Sequence, residues 1–223
     1  MTGPVIPSIP WSEVVGQLNT GDILSFAGTS KLDYAIQMIE GEPYTHVGMV
    51  LNYEGKLWFW DAPGEGNTFY DPISKNPNQT GARVADLTSI LDYYMGPQGG
   101  EVEMWWRQLQ PSITPDQQTA LLMFIGIADG MPFPGSDLKL PPPWNLGEGF
   151  AASWMFGVKA NSTVAGTFFC AQLCAQSFMS MGMLPLSPPA NAYDPAIFNS
   201  TDAKKLPLVG VTLSPPQLVS YPS

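Results

Sequence analysis

The chain has 223 residues, of which 44% are hydrophobic and 13% charged, enough apolar content to build a core and too much for general disorder. Nine Lys and Arg against 19 Asp and Glu give a net charge of −10, with 13 of the acids and five of the bases in residues 1–110. That field repels phosphate backbones and anionic membranes, which excludes nucleic acid as an expected partner.

Residues 11–18 predict a short helix with Ser12 as its cap, and Asp22 to Ala27 a strand behind the Thr20-Gly21 turn. Thr29 or Ser30 then starts a helix in which Leu32, Ala35, Ile36 and Ile39 keep i, i+3, i+4, i+7 spacing, closed by Gly41. Strands follow over 46–52 and 57–61, joined at Tyr53-Glu54-Gly55 as a hairpin. Residues 82–95 read as a brief strand and a helix, and alternation around Val102, Met104 and Trp106 predicts a strand over 101–109. Thr114-Pro-Asp-Gln117 places a cap, an N1 proline and an N3 glutamine ahead of a helix running to about Ala128.

From 130 to 166 the character changes, with prolines, glycines and the aromatics Phe133, Trp144, Phe150, Trp154 and Phe156 interspersed. So long and apolar a loop reads as an insertion that forms a lid or a wall of a substrate cleft. Helix resumes at Thr167 and runs to about Met181, and the proline-broken tail holds a strand at Leu208–Leu213. The whole predicts one α+β domain over 1–223, an antiparallel sheet packed against helices.

The scarce residues narrow the chemistry. Cys170, Cys174 and His46 are the only cysteines and the only histidine, which excludes a disulfide-stapled scaffold. On one helix the two Cβ atoms would be about 5–6 Å apart, too far for the roughly 3.5–4.5 Å of a disulfide. A zinc site would have to borrow carboxylates, and no cofactor is expected. With Thr167 as N-cap, Cys170 falls at N3, where the positive end of the helix dipole favours a nucleophilic thiolate. Cys174, a turn further in, reads as a small buried hydrophobe.

Along its strand His46 shares a face with Gly48 and Val50, and Gly48 leaves room beside the imidazole for another group. If the two strands pair as a hairpin, Asp61 approaches His46, where a carboxylate would hold the ring tautomer as the third member of a Cys–His–Asp set. Each residue also has a plainer reading: a strand histidine on a carbonyl, a strand-end aspartate. Tyr44 is a candidate oxyanion donor that reads better as a core tyrosine.

Gly21-Asp22-Ile-Leu-Ser-Phe, then Tyr44-Thr-His46-Val-Gly-Met-Val, then Trp-Phe-Trp-Asp61-Ala and a late Phe-Phe-Cys170-Ala-Gln-Leu helix together resemble the permuted NlpC/P60 papain-like hydrolases, the YiiX/YebB-like branch in particular. The helix that ends in Gly130-Met-Pro-Phe133 is similar to a family segment ending Gly-Lys-Pro-Tyr-Asp. Here Ala171-Gln172 stands where the family usually has Ser-Glu, and Phe133-Pro134 where it has Tyr-Asp. The resemblance implies a circularly permuted papain-like fold, with Cys170 as nucleophile, His46 as general base and Asp61 as the acid that orients it.

The implied activity is cleavage of an amide bond, as an endopeptidase or amidase on peptidoglycan stem peptides. A different class, lipid acyltransferase or thioesterase of the lecithin:retinol acyltransferase-like type, would use the aromatics of 144–156 to seat an acyl chain. A third reading is a binding module on a decayed core. The longest apolar run, Ala120 to Ala128, is nine residues, far short of the about 20 of a spanning helix, and no integral membrane segment is expected. The proline-rich start has no basic n-region and predicts no signal peptide. The expectation is a soluble cytoplasmic product, exported by a system such as type VI secretion if it acts as an effector toxin in a target periplasm. An immunity or inhibitor protein would then be its partner.

Overall fold

A computed structural model describes residues 7–29, 37, 42–64, 69–75, 80–96, 101–133 and 167–222. The helix expected between Thr29 and Gly41, apart from Gln37, and the insertion from 134 to 166 lie outside the described residues. The fold is mixed α+β, with a seven-stranded sheet whose pairs are antiparallel except at one edge.

Its strands are β1 (Ile9–Pro10), β2 (Ile23–Gly28), β3 (His46–Tyr53), β4 (Lys56–Asp61), β5 (Arg83–Asp86), β6 (Glu101–Arg107) and β9 (Gln217–Ser220), in the spatial order β1-β9-β6-β2-β3-β4-β5. A separate pair joins β7 (Leu109–Gln110) to β8 (Thr212–Leu213). Tyr53 pairs with Lys56, so β3 and β4 are joined by a two-residue turn. Both turn residues are left-handed, Glu54 at φ 53° and Gly55 at φ 74°, the geometry that matches the twist of a tight hairpin.

Helices cover both faces because alternate residues of the strands are apolar on both sides. One face carries Ile23, Val47, Met49, Leu51 and Trp60, packed against α3 (Pro115–Ala128), α4 (Cys170–Ser180) and α5 (Pro195–Asn199). The other carries Leu24, Phe26, Val50 and Phe59 beneath α2 (Leu87–Tyr94) and the short α1 (Trp11–Val14). Trp60 reaches through its indole N–H to Ser177 Oγ at 3.1 Å, which pins β4 to the middle of α4.

The α3 start forms as its sequence predicts. Thr114 Oγ1 accepts from the Gln117 N–H at 3.3 Å, and Gln117 Oε1 accepts from the Thr114 N–H at 2.8 Å. Other expectations are corrected. Ser12 lies inside α1, whose N-cap is Pro10 with no side-chain bond. The strand over 101–109 breaks at Gln108, where the N–H donates to Ser214 Oγ instead of to a ladder partner. The tail strand shrinks to Thr212–Leu213, and the segment that enters the main sheet is Gln217–Ser220. The prolines at 215 and 216 precede that strand, a position where a missing N–H costs no ladder bond.

The start of α4 is also corrected. Phe169, at φ −104° and ψ 165°, is the N-cap, and the helix begins at Cys170 itself. The Phe168 N–H donates to the Pro132 carbonyl at 3.0 Å, which keeps the chain extended up to that point and denies Thr167 the capping role.

Candidate active site

Three strands and two helices converge on one end of the β3–β4 hairpin. His46 is the first residue of β3 and Asp61 the last of β4. The register Met49↔Trp60 runs the two chain ends toward each other, and His46 Nε2 lies 3.0 Å from Asp61 Oδ2. Cys170 opens α4 on the sheet's other layer, near enough to the His46 ring that its side chain raises the ring's basicity. With Nε2 engaged by Asp61, Nδ1 is the ring nitrogen left for sulfur.

The structure thus brings together all three residues singled out in the sequence. It places Cys170 at N1 rather than N3, which puts its own N–H among the helix amides that have no acceptor within the helix. Cys174 is fully buried, and burial, then the nearby Cys170 and the Asp61 charge, pushes its thiol well up. The space beside Gly48 is filled by Phe59: a Cβ built on the glycine would stand 2.6 and 2.7 Å from Cε1 and Cε2 of that ring. Gly48 therefore admits an aromatic core residue, not a reacting group. Tyr44 stands edge-on to Trp105 with ring centroids 6.0 Å apart.

Two residues of the site had no place in the sequence reading. Arg83, on β5 opposite Asp61 in the β4–β5 register, donates from Nε to Asp61 Oδ1 at 2.9 Å and from Nη2 to Oδ2 at 3.4 Å. Tyr94, at the end of α2, donates its hydroxyl proton to Asp61 Oδ2 at 2.7 Å. It accepts from Arg83 Nη2 at 3.1 Å, and its oxygen lies 3.4 Å from His46 Nε2. The one available signal was an arginine opening an otherwise apolar strand, Ala82-Arg-Val-Ala, where a buried cation implies a buried anion.

Burial opposes charge throughout this cluster, since Asp61 is fully buried and Arg83 only 1% exposed. The partners outweigh it. For Asp61, the Arg83 charge and the His46 hydrogen bond hold the carboxyl well below its usual range. For Arg83, the Asp61 and Tyr94 oxygens raise an already high basicity. For His46, burial pulls the ring down, yet the hydrogen bonds and charges of Asp61 and Cys170 push it up to about 10. Such an arrangement can present sulfur to an electrophile, take up or give a proton beside it, and keep the imidazole aimed throughout. Among the described residues, no group of three or more His, Cys, Asp and Glu side chains could hold a metal ion. None of their helices is long and apolar enough to cross a membrane.

No family model matches the chain, and no curated protein does. Among solved structures it is similar to the metalloprotein YiiX from Escherichia coli O157:H7, at 16% identity and a TM-score of 0.48 over 92% of this chain and 99% of that one.

Proposed function

We propose that this protein is a cysteine hydrolase of permuted papain-like design that cleaves an amide bond, with peptidoglycan stem peptides as its substrate class. The observation that carries the reading is a cysteine at a helix start, beside an imidazole that a buried carboxylate holds from behind. The order of the His46, Asp61 and Cys170 motifs and their likeness to the NlpC/P60 hydrolases support the substrate class.

The steps follow from the parts. Cys170 sulfur attacks the carbonyl carbon, and the π electrons move to oxygen, where the Cys170 N–H is placed to donate. Imidazolium His46 gives its proton to the leaving amine as the C–N bond breaks, which leaves a thioester. Water then adds to the thioester carbon, its proton passes to His46, and the C–S bond breaks to release the acid. Asp61 does not exchange a proton; it holds the ring in place and stabilises its charge.

Digestion of purified sacculi by wild type, Cys170→Ala and His46→Ala, with products read by mass, tests the proposal. Stem-peptide fragments that fall by about 10³-fold or more in both variants are the expected result. Fragments that persist in Cys170→Ala would overturn the nucleophile. Intact sacculi together with fatty-acid release from phospholipid vesicles would replace the amide substrate by a lipid ester.

A further inference from the structure

One carboxylate at this site serves two cations. Asp61 Oδ1 receives Arg83 Nε, while Oδ2 is shared by His46 Nε2, the Tyr94 hydroxyl and Arg83 Nη2. A lone buried aspartate beside an imidazole would bind the ring's proton with its full charge in a medium of low dielectric. Here a guanidinium takes a share of that charge, and a phenol donates to it as well. We infer that Arg83 and Tyr94 are positioning residues that act through Asp61, fixing His46 in its Nε2–H form and keeping the ring able to give up its other proton. The inference deepens the hydrolase reading and, for its bearing on catalysis, rests on it.

The tautomer follows from proton counting. Tyr94 has one hydroxyl hydrogen, and the 2.7 Å bond places it on Asp61 Oδ2. Toward His46 Nε2, 3.4 Å away, the phenol therefore offers only a lone pair, as does the carboxylate. Nε2 meets two acceptors and must carry a hydrogen. The proton that moves in catalysis is then the one on Nδ1, on the Cys170 side.

Among the described residues, the titratable and charged groups facing the ring are Asp61 from β4, Tyr94 from α2 and Cys170 from α4, with Arg83 of β5 directly behind Asp61; β2 contributes the uncharged Phe26, 6.0 Å between ring centroids. Arg83 carries the same sign as imidazolium and neutralises the acid that attracts the proton, so its removal makes the ring hold the proton more tightly. Loss of the Tyr94 hydroxyl takes one hydrogen bond from Asp61 and works in the same direction, less strongly.

Because His46 is the only histidine, ring ¹⁵N NMR of histidine-labelled protein reads this site alone and needs no substrate. The titration is run in a Cys170→Ala background, so that only the imidazole changes charge near the ring. In that background we expect the Nε2–H tautomer, a midpoint about one pH unit higher with Arg83→Gln, and a smaller rise with Tyr94→Phe. Arg83→Lys should restore most of the lost tempering, which a merely structural role would not do. An unchanged or lower midpoint in folded Arg83→Gln would overturn the inference. Should that variant fail to fold, Tyr94→Phe decides: an unmoved midpoint with an unchanged tautomer population overturns it. Alkylation of Cys170 by iodoacetamide in the otherwise unmodified chain separates the two claims, because an inert Cys170 defeats the hydrolase reading and leaves the NMR result standing.

Discussion

Gly48→Ala should be far more costly than its one added methyl suggests, and the cost should vanish when Phe59 is shortened. The new Cβ would stand 2.6 and 2.7 Å from two atoms of the Phe59 ring, where carbon pairs settle at about 3.5–4.0 Å. The ring must therefore retreat by about 1 Å. Phe59 is fully buried and edge-on to Phe26 at 5.9 Å, and Phe26 in turn abuts Tyr94 at 5.2 Å, so retreat pushes into the aromatic packing that flanks His46. Overpacking of this kind costs about 3 kcal/mol, the upper end for a single substitution in a core that cannot yield.

Phe59→Leu removes the offending ring atoms and alone costs about 1–2 kcal/mol in transfer and cavity terms. In the double variant the clash is gone, so its stability should match that of Phe59→Leu, a coupling of about 3 kcal/mol. Equilibrium unfolding in urea on the four proteins measures this directly, provided the m-values agree. Additivity within about 0.5 kcal/mol would refute the reasoning, because it would mean that the glycine is not there to admit the ring.

Two further substitutions test other parts of the structure. Arg107 gives its guanidinium to four carbonyls, Ser214 at 2.6 Å, Phe198 and Ser200 at 2.7 Å and Leu213 at 3.1 Å; Arg107→Met should cost about 3 kcal/mol by orphaning them, with faster proteolysis after residue 200 as the readout. Asp129 is pushed up to about 7, by burial first and then by the hydrogen bond and charge of Asp71. Its native state therefore holds a proton that the unfolded chain has lost above about 4, and stability falls as pH rises from there to about 7. Asp129→Asn, which cannot ionise, should gain on wild type between pH 5 and pH 8 in thermal unfolding; a constant difference would reject the raised Asp129 carboxyl.

What the sequence made legible was local. His46 and Asp61 could be placed together because a hairpin with a tight turn brings its outer ends into register, and that pairing needs only alternation and the Glu54-Gly55 signal. Cys170 stood out because a polar-then-apolar helix start is a short-range pattern. Arg83 and Tyr94 were hidden for the opposite reason. Their meeting with Asp61 depends on β5 pairing with β4 across the connection from 62 to 82, and on α2 folding back over the sheet. The same holds for Phe59 over Gly48: alternation tells which face a side chain takes, not which ring fills the gap. The cap of α4 was misplaced because a backbone bond from Phe168 to Pro132, distant in sequence, overrode the local preference of threonine.

At the parallel edge of the sheet Ile9 lies opposite Val219 and Pro10 opposite Ser220, so the first and last strands of the described fold run side by side. For an engineer this puts the first and last strands of the described fold on one edge, running in the same direction. A linker long enough to run back along that parallel pair would let the polypeptide be reopened elsewhere, for instance at the exposed Glu54-Gly55 turn, with the described strand neighbours kept. Cut there, His46 and Asp61 would reside at opposite ends of the new sequence and still meet in space. The recut chain would separate what the site requires, a set of neighbours in three dimensions, from the order in which the ribosome supplies them.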